Sequence, residues 1–358
     1  YLINANGILF DRGSSVNVGG LVASSLGISQ SLFEAGIASQ PGLEAPELAG
    51  DAASGPVQVA AGAQITAAPG GRLLLAGPRV ENAGSLSAPD GQVVLAAGEK
   101  TYLIPSQDGA LRGFLVEVGE GGSAVNTGTL SARRGNVTMV GRDVQQNGVA
   151  TATTAVNRNG SVRLMAQDNP TLDGNGQPIA GRTGTLTLGV GSRTEVLPDA
   201  EDAGRIDSSV AFTPSRVDLG GKTVRIDGAV KVPGGEVTVT ASNPDGDAAQ
   251  SRIYLGSTAR IDAAGTPEVV LPMSRNTLEV ELRGDELKDF PTQRNGILRG
   301  QKIVVDVNRG TTVADISGYL GAITRDVREL TTAGGRVNLS SGGDVVMQAG
   351  SVVDVSGG

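Results

Sequence analysis

Residues 82–98 read NAGSLSAPDGQVVLAAG, residues 126–141 read NTGTLSARRGNVTMVG, and the two superimpose without a gap. Gly84 falls on Gly128, Leu86 on Leu130, Gly91 on Gly135, Val93 on Val137 and Leu95 on Met139. Each copy is a short alternating strand, a corner of residues that tolerate positive φ, then a second alternating strand. The shift of 44 residues (126 − 82) predicts two turns of a repeat of about 22. A looser copy, AGAQITAAPGGRLLLAG at residues 61–77, places Gly71, Leu73 and Leu75 one step of 20 residues ahead of Gly91, Val93 and Leu95.

The same grammar, with looser spacing, runs through NRNGSVRLMA, TGTLTLGVG, GGKTVRIDGAVKVPGGEVTVTA and STARIDAAG. It returns in GGRVNLSSGGDVVMQAGSVVDVSGG at residues 334–358, with Val337, Leu339, Val345, Met347, Val352 and Val355 as inward candidates. One such unit cannot bury its apolar face alone, whereas stacked units share a continuous core. The pattern predicts an all-β solenoid, a parallel β-helix of about 15 rungs and on the order of 70 Å long. A sandwich would show more hairpin turns and larger aromatic core residues, and a propeller repeat would be about twice as long.

Composition agrees. The 358 residues include 54 Gly, no Trp, Cys or His, and 3% aromatics, yet 39% are apolar. Length alone suggests about two domains, but a compact core of that size would use more aromatic area. A net charge of −8 argues against nucleic acid or an anionic membrane as partner. Absence of cysteine suits a chain that crosses a membrane unfolded, because a disulfide would jam a narrow pore. Absence of histidine removes Ser-His-Asp and Cys-His machinery and the usual catalytic zinc site.

Departures from the repeat mark excursions. The reading divides the chain into 1–28, continuous with the rod; 29–60, an excursion; 61–270, a shaft with insertions at 167–182 and 197–204; 271–333, an irregular excursion; and 334–358, further rungs. Within 271–333, Leu278 to Leu282 reads as a hairpin strand. Ile316, Leu320, Ile323, Val327 and Leu330 fall at helical spacing, with Asp315 as N-cap and Gly334 as stop. That predicts one short helix laid on the rod as a local cover.

Candidate chemistry is sparse. Arg283, Gly284 and Asp285 form an RGD tripeptide, a weak receptor-binding candidate. Asp173, Gly174, Asn175 and Gly176 resemble the front of a calcium loop, but Gln177 and Pro178 follow and no Glu closes the site. Asp245 and Asp247 in NPDGD read likewise as turn chemistry. Asp207, Asp227, Asp262 and Asp354 recur in I-D or V-D contexts and could form an outward ladder, the feature a glycan-cleaving β-helix would need. The reading assigns no catalytic residue, metal or cofactor.

The opening stretch, YLINANGILFDRGSSVNVGGLVASSL at residues 1–26, resembles the secretion domain of filamentous-haemagglutinin-like exoproteins of two-partner secretion systems. Members carry an Asn-Pro-Asn-Gly-Ile segment followed by a VNVGGLVAS-like strand pair. Asn4, Asn6, Gly7 and Ile8 match the first, and Val16, Asn17, Val18, Gly19 and Gly20 begin a match to the second that runs to Ser24. Ala5 stands in place of the usual proline and Asp11 in place of a glycine. FPTQRNGILRG, VADISGYLGAI and GGDVVMQAGSVVDVSGG also look like segments of these large exoproteins.

The resemblance implies a right-handed β-helix, as the general preference of parallel crossovers also does. It implies an outer-membrane transporter barrel as partner and a rod secreted to the Gram-negative cell surface. Residues 1–28 would be the C-terminal part of the secretion domain, with an earlier Asn-Pro motif upstream of Tyr1. Asn4 and Asn6 would either shape a corner or touch the transporter. The implied function is a filamentous adhesin attaching to a host-cell, matrix or glycan receptor or joining cells in a biofilm. Its terminal rungs would be able to stack end to end. The alternatives are the stalk of a contact-dependent toxin-delivery exoprotein and a β-helix polysaccharide lyase or hydrolase.

Overall fold

A computed structural model describes residues 1–36, 42–106, 113–174, 177–283 and 296–358. Its frame is three parallel sheets, visited in turn by every coil. The first coil supplies strands Ile8–Phe10, Ser15–Val18 and Leu21–Ser24. These stack on Val57–Val59, Gln64–Ala67 and Arg72–Gly77 of the second coil. Two of the sheets hold nine strands each, so the fold is a parallel β-helix of nine coils among the described residues. At about 4.8 Å per coil the axis is about 40 Å long.

That is shorter than the periodicity predicts, and the two quoted copies show why. Leu86 pairs directly with Leu130, and Val93 with Val137. Leu73 pairs with Val93 at the 20-residue step. Both steps are therefore single coils. The 44-residue coil is longer because strand Gln92–Pro105 continues beyond the sheet and folds back through Phe114–Gly121 as an antiparallel hairpin. Residues that looked like rungs are spent on excursions.

Alternation decides what faces inward. Leu73 and Leu75, Val93 and Leu95, Val137 and Met139, and Val162 and Leu164 stack in register and are fully buried in one continuous core. Phe10 is the one aromatic residue of that core cluster. A slot between sheets only a few side chains apart is filled by Val, Leu and Ala, which accounts for the aromatic-poor composition. In the last coil Val337, Leu339 and Val353 pack against the core. Val345 and Met347 share the register of inward Ile253 and Leu255 but are about half exposed. Val352 instead pairs with Arg260 and points outward, and Val355 is exposed.

Corners are fixed by polar ladders. Asn82 Nδ2 donates to Asn126 Oδ1 at 2.8 Å, and Asn126 Nδ2 donates to Gln146 Oε1 at 2.6 Å. All three side chains are buried, and each amide satisfies the next coil's amide or backbone.

One sheet is apolar on both faces. Leu74, Ala76, Val94, Ala96 and Val140 point away from the main core and are nonetheless buried. Leu26, Leu48, Leu103, Val116 and Val118 cover them, brought in by the hairpin and by strand Leu48–Ala49, which pairs with Lys100 and Thr101.

The expected helix over 316–330 is not one helix. It is two single turns, Ser317–Leu320 and Val327–Leu330. Gly321 and β-branched Ile323 and Thr324 weaken the intervening turn, and Arg325 leaves it to exchange backbone hydrogen bonds with Ile206. Asp315 accepts from Ser317 N, but the cap bond is made by Asp326, which accepts from Glu329 N at 3.0 Å. The apolar stripe is shared out: Ile316 packs beside Val280 and Val305, and Val327 beside Val156 and Ile206. A third helix, Gln30–Ala35, opens the stretch read as the 29–60 excursion. Strand Thr277–Glu281 pairs antiparallel with Lys302–Asp306.

Candidate functional site

The residues of the opening motif form the first coil. Asn4 to Gly7 make a turn in which the Gly7 amide donates to the Asn4 carbonyl at 2.9 Å. The Asn4 side-chain oxygen accepts from the Asn6 amide at 3.1 Å. Gly7 has φ +104°, and a Cβ there would lie 2.7 Å from the Pro56 carbonyl oxygen. No residue but glycine fits. The Pro56 carbonyl is occupied by the Ile8 amide at 2.9 Å, and the Gly55 amide donates to the Ala5 carbonyl at 2.7 Å.

Asn4 is therefore a turn-builder. Asn6 differs: its side chain is exposed and makes no hydrogen bond among the described residues. Ile8 and Phe10 point into the core, and Leu9 stands outside at 61% exposure. In the second half of the motif Val16 pairs with Ile65 and Val18 with Ala67, half-buried on the core side, while Asn17 faces out. Gly19 and Gly20 form the exposed corner into the next strand.

Sequence reading missed the platform under this turn. Gly55 and Pro56 fall within the 29–60 excursion, yet they carry the first corner. The signal was their Gly-Pro pairing, a turn punctuator directly before an alternating strand.

The other candidates do not converge. Arg283 bonds Glu281 at 2.8 Å, while Gly284 and Asp285 lie outside the described residues. Asp173 Oδ1 accepts from Gln177 N at 2.8 Å, and Asp247 caps the short helix Ala248–Gln250; Asn175 and Gly176 are outside the described residues. Of the four aspartates read as a ladder, only Asp262 and Asp354 are neighbours. Asp227 is bound by Arg225 at 2.6 Å, Asp262 by Lys231 at 3.5 Å, and Asp207 accepts from Ser209 N at 2.9 Å. The Ser356 amide bonds Asp354 and lowers its pKa.

Against models of known families, the chain matches the TPS secretion domain over residues 1–179. No curated protein matches it. The match covers half of the chain and takes in the opening turn, the VNVGG corner and the paired coils from which the fold was read. The chain thus belongs to the two-partner-secretion family, exoproteins of Gram-negative bacteria that leave the cell through a partner outer-membrane transporter.

Proposed function

We propose that this chain is a structural segment of a surface-displayed filamentous adhesin, that its first coil presents the export signal, and that its coils serve as scaffold and not as catalyst. The observation that carries this reading is the unbroken stack of nine coils with a filled aliphatic interior. Such a rod offers a long outer surface on which weak contacts add by avidity. The aspartates that a glycan-cleaving rod would gather on one face are each held by their own partner. Residues 1–28 supply the turn and corner of the motif, 29–54 and 271–333 decorate the rod, Val57–Val59 opens its second coil, and 61–270 with 334–358 continue it.

The test is surface attachment and cell clumping by a strain with the parent gene cleanly deleted, beside a complemented control. Attachment lost on deletion and restored by complementation is the expected result. Unchanged attachment would overturn the adhesin reading and favour a toxin-delivery stalk.

A further inference from the structure

A second polar ladder runs up the side of the rod and ends in a cation with no carboxylate partner among the described residues. At the first position of successive strands in one sheet stand Ser161, Asn136, Gln92 and Arg72, in register. Asn136 Nδ2 donates to Ser161 Oγ at 3.1 Å, and Gln92 Nε2 donates to Asn136 Oδ1 at 2.9 Å. Gln92 also holds the hairpin, donating to the Phe114 carbonyl at 2.7 Å and accepting from its amide at 3.3 Å. Phe114 is thereby fixed with its ring 4.4 Å from the Arg72 guanidinium carbon.

Arg72 breaks the pattern. Its Nε is buried and has no hydrogen-bond acceptor, and no carboxylate pairs with it among the described residues. Burial without a counter-charge pulls its pKa down. The remaining donors of the guanidinium are not closed off. Arg72 lines two open depressions, of about 280 and 260 Å³. One is walled by Gly71, Asp90, Gly91 and Gly113, the other by Tyr1, Gly20 and Leu21. Gly20 holds the ladder position one coil below, since Leu21 pairs with Leu73. The last glycine of VNVGG therefore leaves open the space that a side chain would occupy.

Asp90 does not oppose an anion here. It is engaged by Arg134 at 2.8 Å and by Arg158 at 3.1 Å, and Arg134 also lies 3.7 Å from Asp199. A half-desolvated arginine left unpaired weakens folding. A guanidinium fork held over a ring and open at its edge matches the geometry of a carboxylate.

We infer that Arg72, seated on Phe114 above Gly20, is an anchor for one carboxylate of an acidic peptide segment. The depression beside Asp90 is walled largely by bare glycine backbone, which offers N–H and C=O groups to an extended chain, while the other is flanked by Tyr1 and Leu21. Each depression has room for a carboxylate side chain together with the backbone that carries it. This deepens the reading that a polypeptide partner docks on the first coils, and it rests on that reading.

The test uses the full chain and a short extended peptide with one central glutamate, compared with its glutamine counterpart. Binding is followed by calorimetry and by the side-chain NMR signals of Arg72. The expected result is a preference for the glutamate peptide of about tenfold or more, weakened by salt. Arg72→Met keeps the packed stem and loses the preference, Arg72→Lys loses most of it, and Arg79→Met, exposed on another sheet and lining neither depression, keeps it. Equal binding of the two peptides, or an undiminished preference in Arg72→Met, overturns the proposal. Acetate, inorganic phosphate and an oligogalacturonate serve as competitors, and tighter binding of any of them overturns the assignment to a peptide. Export that still depends on the first coil while the peptide fails to bind would sink the anchor alone.

Discussion

A methyl group added at Gly91 would sit 1.8 Å from the Gly71 carbonyl oxygen, and one added at Gly135 would sit 2.1 Å from that of Gly91. These corners stack backbone on backbone, so Gly91→Ala is expected to cost about 3 kcal/mol by forced displacement. Gly19 faces open space at an ordinary φ, and Gly19→Ala is expected to change stability by less than about 0.5 kcal/mol. Denaturant titration of both variants checks the pair. Asp90 supplies a pH test. Burial raises its pKa, but the hydrogen bonds and charges of Arg134 and Arg158 outweigh that and hold it below the usual 3.8. A depressed carboxyl stabilises above its unfolded pKa and ceases to do so as pH falls through its folded value. The chain should therefore lose thermal stability below about pH 4, and Asp90→Asn should show a smaller loss over that window. An unchanged acid limb in Asp90→Asn would refute this.

The hairpin that lengthens the third coil is held by a buried carboxylate as well as by apolar contact. Asp168 is fully buried and accepts from Gly121 N at 2.8 Å and from Arg182 Nη2 at 2.6 Å. Removing it strips Gly121 N and Arg182 of a buried acceptor and leaves Arg182 only Glu120, at 2.9 Å, and Asp168→Ala is expected to cost about 2 kcal/mol. Leu103 and Val116 face each other across the hairpin and cover the sheet's outer face. Leu103→Ala should cost about 3 kcal/mol and raise hydrogen exchange in Phe114–Gly121 while the nine-coil stack stays protected. Equal loosening of the stack would show that the hairpin is not a separate cover. At this scale the sequence was only partly legible. Strand alternation named Val337 and Leu339 as inward, because their period follows from backbone geometry, but it took outward Val352 for its inward neighbour Val353. The 44-residue step was misread because an inserted hairpin of alternating residues looks like another rung. The helix over 316–330 was misread because helical spacing was present, but its middle turn is weak in helix formers and is drawn into backbone bonds with Ile206, far away in sequence.

At the scale of the molecule, the nine coils among the described residues build a rod with excursions on its sides, and small-angle scattering should return an axis of about 40 Å and not the roughly 70 Å that an excursion-free repeat would give. The class of fold was legible from glycine, small aliphatics and scarce aromatics, since only stacking lets such residues form a core. The site was legible only as a motif. That Asn4 builds the turn while Asn6 stands free depends on the Gly55–Pro56 platform, which lies some fifty residues away. The proposal that the first coil presents the export signal is decided by Asn6→Ala in cells carrying the partner transporter. The predicted result is an unfolding midpoint shifted by less than about 0.5 kcal/mol, with the amount of chain reaching the medium reduced about tenfold, a change of about 1.4 kcal/mol in recognition. Export of Asn6→Ala at the wild-type level, with the fold intact, would contradict the claim.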